Sequence, residues 1–106
     1  MGNQSDVVAA DIRRDIARER QGGMAVHELK IDDRWFPAVA AGMKTVELRR
    51  EDDRTFGVGD VLDLRERETG RVVRVVVTHI LRHADAPDLL PPGVAALSIW
   101  REDADA

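Results

Sequence analysis

The run Val72-Val73-Arg74-Val75-Val76-Val77-Thr78-His79-Ile80-Leu81 constrains the chain most, because it is rich in β-branched residues and apolar on nearly both faces. Such a run has strand geometry by side-chain preference, and a strand apolar on both sides must lie inside a sheet rather than at its edge. The reading therefore extends the strand from Arg71 to Arg82 and makes it the central strand of the sheet. Glu68-Thr69-Gly70 before it closes a hairpin whose glycine takes the positive φ of a tight turn. Upstream of that turn, Val61-Leu62-Asp63-Leu64-Arg65-Glu66 alternates as a partner strand, and Val58-Gly59-Asp60 supplies the turn before it. Downstream, the segment 84–93 carries Pro87, Pro91 and Pro92 and reads as a surface loop. Val94-Ala95-Ala96-Leu97-Ser98-Ile99-Trp100 is the closing strand.

The functional groups concentrate elsewhere, at Gly42-Met43-Lys44-Thr45-Val46-Glu47-Leu48-Arg49-Arg50. A short apolar helix over Trp35 to Ala41 stops at Gly42, where the absent side chain permits a left-handed residue. Asp32 or Asp33 is expected to cap that helix, and Pro37 to sit in its first turn. From Thr45 the pattern has period two, which predicts Val46 and Leu48 buried while Thr45, Glu47 and Arg49 face a cleft. Lys44, at the helix–strand junction, can join them. Before the helix, Met24 to Ile31 reads as a first strand whose phase slips near His27 and Glu28. Trp35 and Phe36, half of the four aromatics, are expected in the core, with base stacking as the alternative use of either ring.

Gly42, Lys44, Glu47 and Arg49 form Gly-x-Lys-x-x-Glu-x-Arg, which resembles the signature of the ASCH domain, a small β-barrel family similar to the PUA RNA-binding domains. His27-Glu28-Leu29-Lys30-Ile31, Asp53-Arg54 with Phe56, Val58-Gly59-Asp60, and Gly70 through Leu81 resemble a small bacterial branch of that family in order and spacing. The resemblance spans about residues 24 to 101. It implies an α+β fold: a PUA-like barrel of about five mostly antiparallel strands, with the short helix before the strand that carries the signature. It also implies binding of RNA or a nucleotide, and, in some relatives, hydrolysis of modified nucleosides or ribonuclease activity. In the amidohydrolase branch a threonine stands at the position of Glu47 beside the lysine matching Lys44. The carboxylate here cannot replace that hydroxyl nucleophile, which leaves Thr45 as the one substitute and Glu47, beside Lys44, as a base for water.

Composition sets the frame for these readings. At 106 residues the chain suits one domain with a modest core. It divides into a helical extension over 1–23, a barrel domain over 24–101 and an acidic tail over 102–106. Ser5 to Arg20 reads as the extension's helix, with Val8, Ile12 and Ile16 on one stripe and charges of both signs elsewhere. With no cysteine, no membrane-length apolar run and no leader-like start, a cytoplasmic monomer is expected. The net charge of −4 is not that of a broadly basic nucleic-acid binder. Residues 24–100 hold 11 basic against 13 acidic groups, so a basic patch must be local. Arg50, with Arg54, Arg65, Arg67 and Arg74, would extend it as a rim.

Lys44, Glu47 and Arg49 together suit an anionic or polar ligand: arginine offers a planar fork, lysine a point charge and glutamate an acceptor. A structural salt bridge of Glu47 with either cation is the competing reading. His79 shares the parity of Val73, Val75 and Val77, which predicts a half-buried ring flanking the cleft. His27, His79 and His83 lack metal-ligand spacing, and no cofactor-binding fingerprint occurs, so neither metal nor cofactor is expected.

Overall fold

The computed structural model describes residues 24–102; the predicted helix over residues 5–20 and the tail beyond Glu102 lie outside them. The described chain runs β1 (Val26–Ile31), α1 (Phe36–Ala40), β2 (Val46–Arg50), β3 (Val61–Glu66), β4 (Val72–Leu81) and β5 (Val94–Arg101). These strands form one mixed sheet in the order β1-β3-β4-β5-β2, with β4 at its centre as its composition demands. Three pairs are antiparallel, whereas β1 pairs β3 in parallel. Antiparallel pairing thus predominates, as expected of a mostly antiparallel barrel, and the β1–β3 pair is the exception. Between β1 and β3 the chain makes the whole α1–β2 excursion, long enough to bring the next strand back in the same direction.

The sheet curls so that its two edge strands approach each other, and Arg49 of β2 donates from Nη2 to the Lys30 carbonyl of β1 at 2.8 Å. A side chain thus spans the seam of a small, partly closed barrel. Inside lie Leu62, Leu64, Val75, Val77, Ala95 and Leu97, none more than 1% exposed, with Phe36 and Val39 of α1 covering one end. Hydrophobic burial on this inner face supplies the main driving force for the sheet to curl.

The N-cap of α1 is Trp35, whose side chain makes no capping bond, so neither Asp32 nor Asp33 is its cap. Asp32 instead turns its carboxylate on Arg34, accepting from its backbone N–H at 2.8 Å and its Nε at 3.1 Å. The other end behaves as read. Gly42 adopts φ +76°, its N–H donates to Val39 and that of Met43 to Ala38, the two bonds that close a helix through a left-handed residue. Lys44 is tied to the same Ala38 carbonyl, so the helix end fixes where β2 starts.

Two phase predictions fail. In β2, Glu47 is 6% exposed while Val46 and Leu48 are 47% and 61% exposed, the reverse of the expected faces. Glu47 stands opposite buried Leu97, and Leu48 opposite Ala96 on the outer face. In β4, Val77 pairs with Ile99 and His79 with Ser98, leaving Thr78 as an extra residue. This bulge shifts the alternation by one, turning His79 and Leu81 outward, so His79 is exposed rather than half-buried. Trp35 is likewise 47% exposed, not in the core, and only Phe36 is buried. Glu102, read as the start of the acidic tail, donates its N–H to the Arg74 carbonyl.

Candidate functional site

The residues Lys44, Glu47 and Arg49 come together at the seam. Lys44 Nζ donates to Glu47 Oε1 at 2.7 Å and to the Val46 carbonyl at 2.6 Å. Arg49 Nε donates to Glu47 Oε2 at 2.8 Å, and its Nη2 lies 2.6 Å from the same oxygen while reaching the Lys30 carbonyl. Arg49 fits here because the residue opposite it on β5 is Ala95, which leaves room over the inner face for a guanidinium. The carboxylate is thus gripped on both oxygens, and buried charges persist only when paired in this way. Both salt bridges that the spacing allowed are formed at once.

The two cations are less enclosed than the anion between them, with side-chain exposures of 26% for Lys44 and 22% for Arg49. Their donors are not exhausted. An ammonium has three N–H groups and a guanidinium five. Among the described residues, one proton of Lys44 and the Nη1 group of Arg49 make no hydrogen bond. Two positive charges against one negative leave the cluster with an excess of one positive charge.

Beside the cluster a pocket of about 70 Å³ opens between Gly42, Lys44, Thr45 and Arg101, floored by Val39 and Val75. Sites for whole small molecules are several times larger, at about 300–1,000 Å³. This one has room for a single small group. Thr45 is exposed at its rim, and its carbonyl accepts from the Ile99 N–H at 2.9 Å. None of Lys44's hydrogen bonds is to Thr45.

Other residues singled out in the sequence are placed apart. Arg50 is exposed on the outer face opposite Val94. Arg54 lies 3.8 Å from Asp53, Arg65 donates to the Gly70 carbonyl, and Arg74 grips Asp63 through Nε and Nη2. These contacts make a set of local braces rather than a continuous basic rim. His79 stands in the outer row Val46–Ser98–His79, on the opposite face of the sheet from Glu47.

Sequence reading missed two internal clamps that hold the site's frame. His27 Nε2 lies 2.8 Å from Asp60 Oδ2, and Asp60 also accepts the N–H groups of Gly57 and Ala25, pinning the start of β1 to the turn before β3. Arg82 forks onto both oxygens of Glu51 and donates to the Phe56 carbonyl, while Phe56 N–H donates back to Glu51. The Arg82 guanidinium, helped by that N–H, holds the Glu51 carboxyl below its ordinary range against the opposing effect of burial. Asp60 falls within the turn read at Val58-Gly59-Asp60, but the partners of Glu51 and Asp60 lie 31 and 33 residues away, which no local pattern encodes.

Among the described residues no helix is long and apolar enough to cross a membrane. No curated protein matches the chain. The family model described as "Domain of unknown function (DUF3850)" matches residues 26–99, from the start of β1 nearly to the end of β5, and the chain belongs to that family.

Proposed function

We propose that this domain binds RNA or a nucleotide through a phosphate group held by Lys44 and Arg49. The observation that carries the reading is the unbalanced charge of the cluster, two cations on one buried carboxylate, with unused donors on both cations; a pocket of single-group size adjoins Lys44. An anion supplies the missing negative charge, and a phosphate oxygen accepts from both kinds of donor. The likeness of Gly42, Lys44, Glu47 and Arg49 to the ASCH signature, and through it to PUA-like RNA-binding barrels, supports the same ligand class.

The geometry favours binding over hydrolysis. Glu47 is buried with both oxygens engaged, so it offers no free oxygen to a water molecule or a substrate hydroxyl. In this reading it positions the cations, and among the described residues neither Lys44 nor Glu47 hydrogen-bonds the Thr45 hydroxyl.

The test is titration of labelled single-stranded RNA and of a nucleoside monophosphate against the wild type, Lys44→Ala and Arg49→Ala. Both variants should bind at least tenfold more weakly. The salt slope should be shallow, corresponding to two or three phosphates at about 0.7 log units each. Equal affinity in all three proteins would remove the cluster as the binding site.

A further inference from the structure

The pocket beside Lys44 admits one small group, so the rest of any nucleotide must lie on the surface around it. The four aromatic side chains differ in exposure, and Trp100, in the wall of that pocket, is half-buried. Phe36 and Phe56 are 4% and 3% exposed, whereas Trp35 leaves 47% of its surface in water. Half-exposing the largest apolar side chain forgoes burial that the core would otherwise gain.

Trp35 is also held in an organised setting. The Arg34 guanidinium lies 5.1 Å from the centre of the indole ring. Arg34 is in turn fixed by Asp32, which accepts its Nε at 3.1 Å and its Nη2 at 3.2 Å. A planar cation is thereby parked over a planar aromatic, and both kinds of surface stack on nucleobases.

Connectivity ties the backbone of the platform to that of the cation cluster. The Trp35 carbonyl accepts from Val39 at the start of α1, and the Lys44 N–H donates to the Ala38 carbonyl. One turn of helix and one hydrogen bond therefore separate the backbones of Trp35 and Lys44, a distance of about 10 Å. On the other side, Arg49 is bonded to Lys30, five residues before Trp35. A strand of two nucleotides spans such a gap.

Building on the phosphate-binding reading, we propose that Trp35 and Arg34 form a base-stacking platform and that the ligand class of this domain is single-stranded RNA, read by an unpaired base at Trp35 while Lys44 and Arg49 hold a neighbouring phosphate. Duplex RNA hides its base faces in the stack and offers nothing to an indole. A free anion fills only the pocket.

The experiment uses the full chain, with affinities for a short labelled oligouridine, a duplex RNA and inorganic phosphate measured on the wild type, Trp35→Ala, Trp35→Phe and Lys44→Ala. Trp35→Ala should bind the single strand about 5- to 150-fold more weakly, the range expected for losing one stacked base. Trp35→Phe should recover most of that loss, and phosphate affinity should be the same in both Trp35 variants as in the wild type. The single strand should also quench indole fluorescence in the wild type but not in Trp35→Ala beyond a small residual. If Trp35→Ala binds the oligouridine as the wild type does while Lys44→Ala does not, the platform is wrong and the phosphate site stands. If Lys44→Ala leaves every ligand unaffected, or if no RNA binds the wild type, the phosphate reading falls and the platform with it. Duplex bound as tightly as single strand would also overturn the proposal, and would leave Trp35 and Arg34 as a surface for a protein partner.

Discussion

At the scale of single residues, Glu47 does the most to define the site. Its carboxylate holds Lys44 and Arg49 in place, and through Arg49 it helps hold β2 to the Lys30 carbonyl of β1. Glu47→Gln keeps the shape but removes the charge and brings an amide NH2 against one of the two cations. With the partners still partly in water, the cost should be about 1–3 kcal/mol, below that of breaking a fully buried pair. Urea unfolding of the two proteins measures it, and a difference under about 0.3 kcal/mol would mean that the ion pairs contribute nothing to the fold. The residue types of this cluster were legible in the sequence; their mutual geometry was not. Spacing allowed Glu47 to pair with either cation, and only the seam shows that it pairs with both. Trp35 was misplaced because size and apolarity argue for the core, whereas Arg34 and Asp32 organise the ring at the surface.

At the scale of elements, the strands, their order in the chain and the helix stop at Gly42 could be read from alternation, turn residues and the glycine itself. Their faces could not always be. Alternation identifies two faces without saying which is inside, and β2 runs along the seam, where the inner positions hold an ion-paired cluster instead of apolar side chains. In β4 a single unpaired residue, Thr78, reverses the parity that placed His79. The parallel pairing of β1 with β3 is a long-range choice that no local signal carries. The inverted face of β2 gives a sharp contrast between two leucines. Leu97 is fully buried opposite Glu47, and Leu97→Ala should cost about 2–5 kcal/mol. Leu48 is 61% exposed, and Leu48→Ala should change stability by no more than about 0.5 kcal/mol. Thermal melts of the two variants decide it: a larger shift for Leu48→Ala would restore the opposite phase.

At the scale of the molecule, several carboxylates are tied to arginines across the fold, and this sets the response to acid. Arg82 lowers the carboxyl of Glu51, Arg74 that of Asp63, and Arg71 followed by Thr69 that of Glu66. Their ordinary values are 4.5, 3.8 and 4.5 respectively, so in the unfolded chain they take up protons at a higher pH than in the folded one. The unfolded state then binds more protons, and stability rises with pH through that window. The contribution is fully present above about pH 5 and is lost as pH falls through the lowered values of the folded state. Urea midpoints should be level from neutrality to about pH 5 and fall below about pH 4, with a smaller fall in Glu51→Gln; a midpoint that rose on acidification would contradict the assignment. The order β1-β3-β4-β5-β2 bears also on time. β2 emerges early in synthesis, yet its strand partner is β5, the last to be made. Hairpins β3–β4 and β4–β5 can close as soon as they exist, whereas β2 must wait for a partner more than forty residues downstream, as its pairing of Val46 with Ser98 requires. Lys44, Glu47 and Arg49 therefore acquire their register on β5 only once Val94–Arg101 has been made, so a nascent chain that stops short of β5 carries these residues without the cluster.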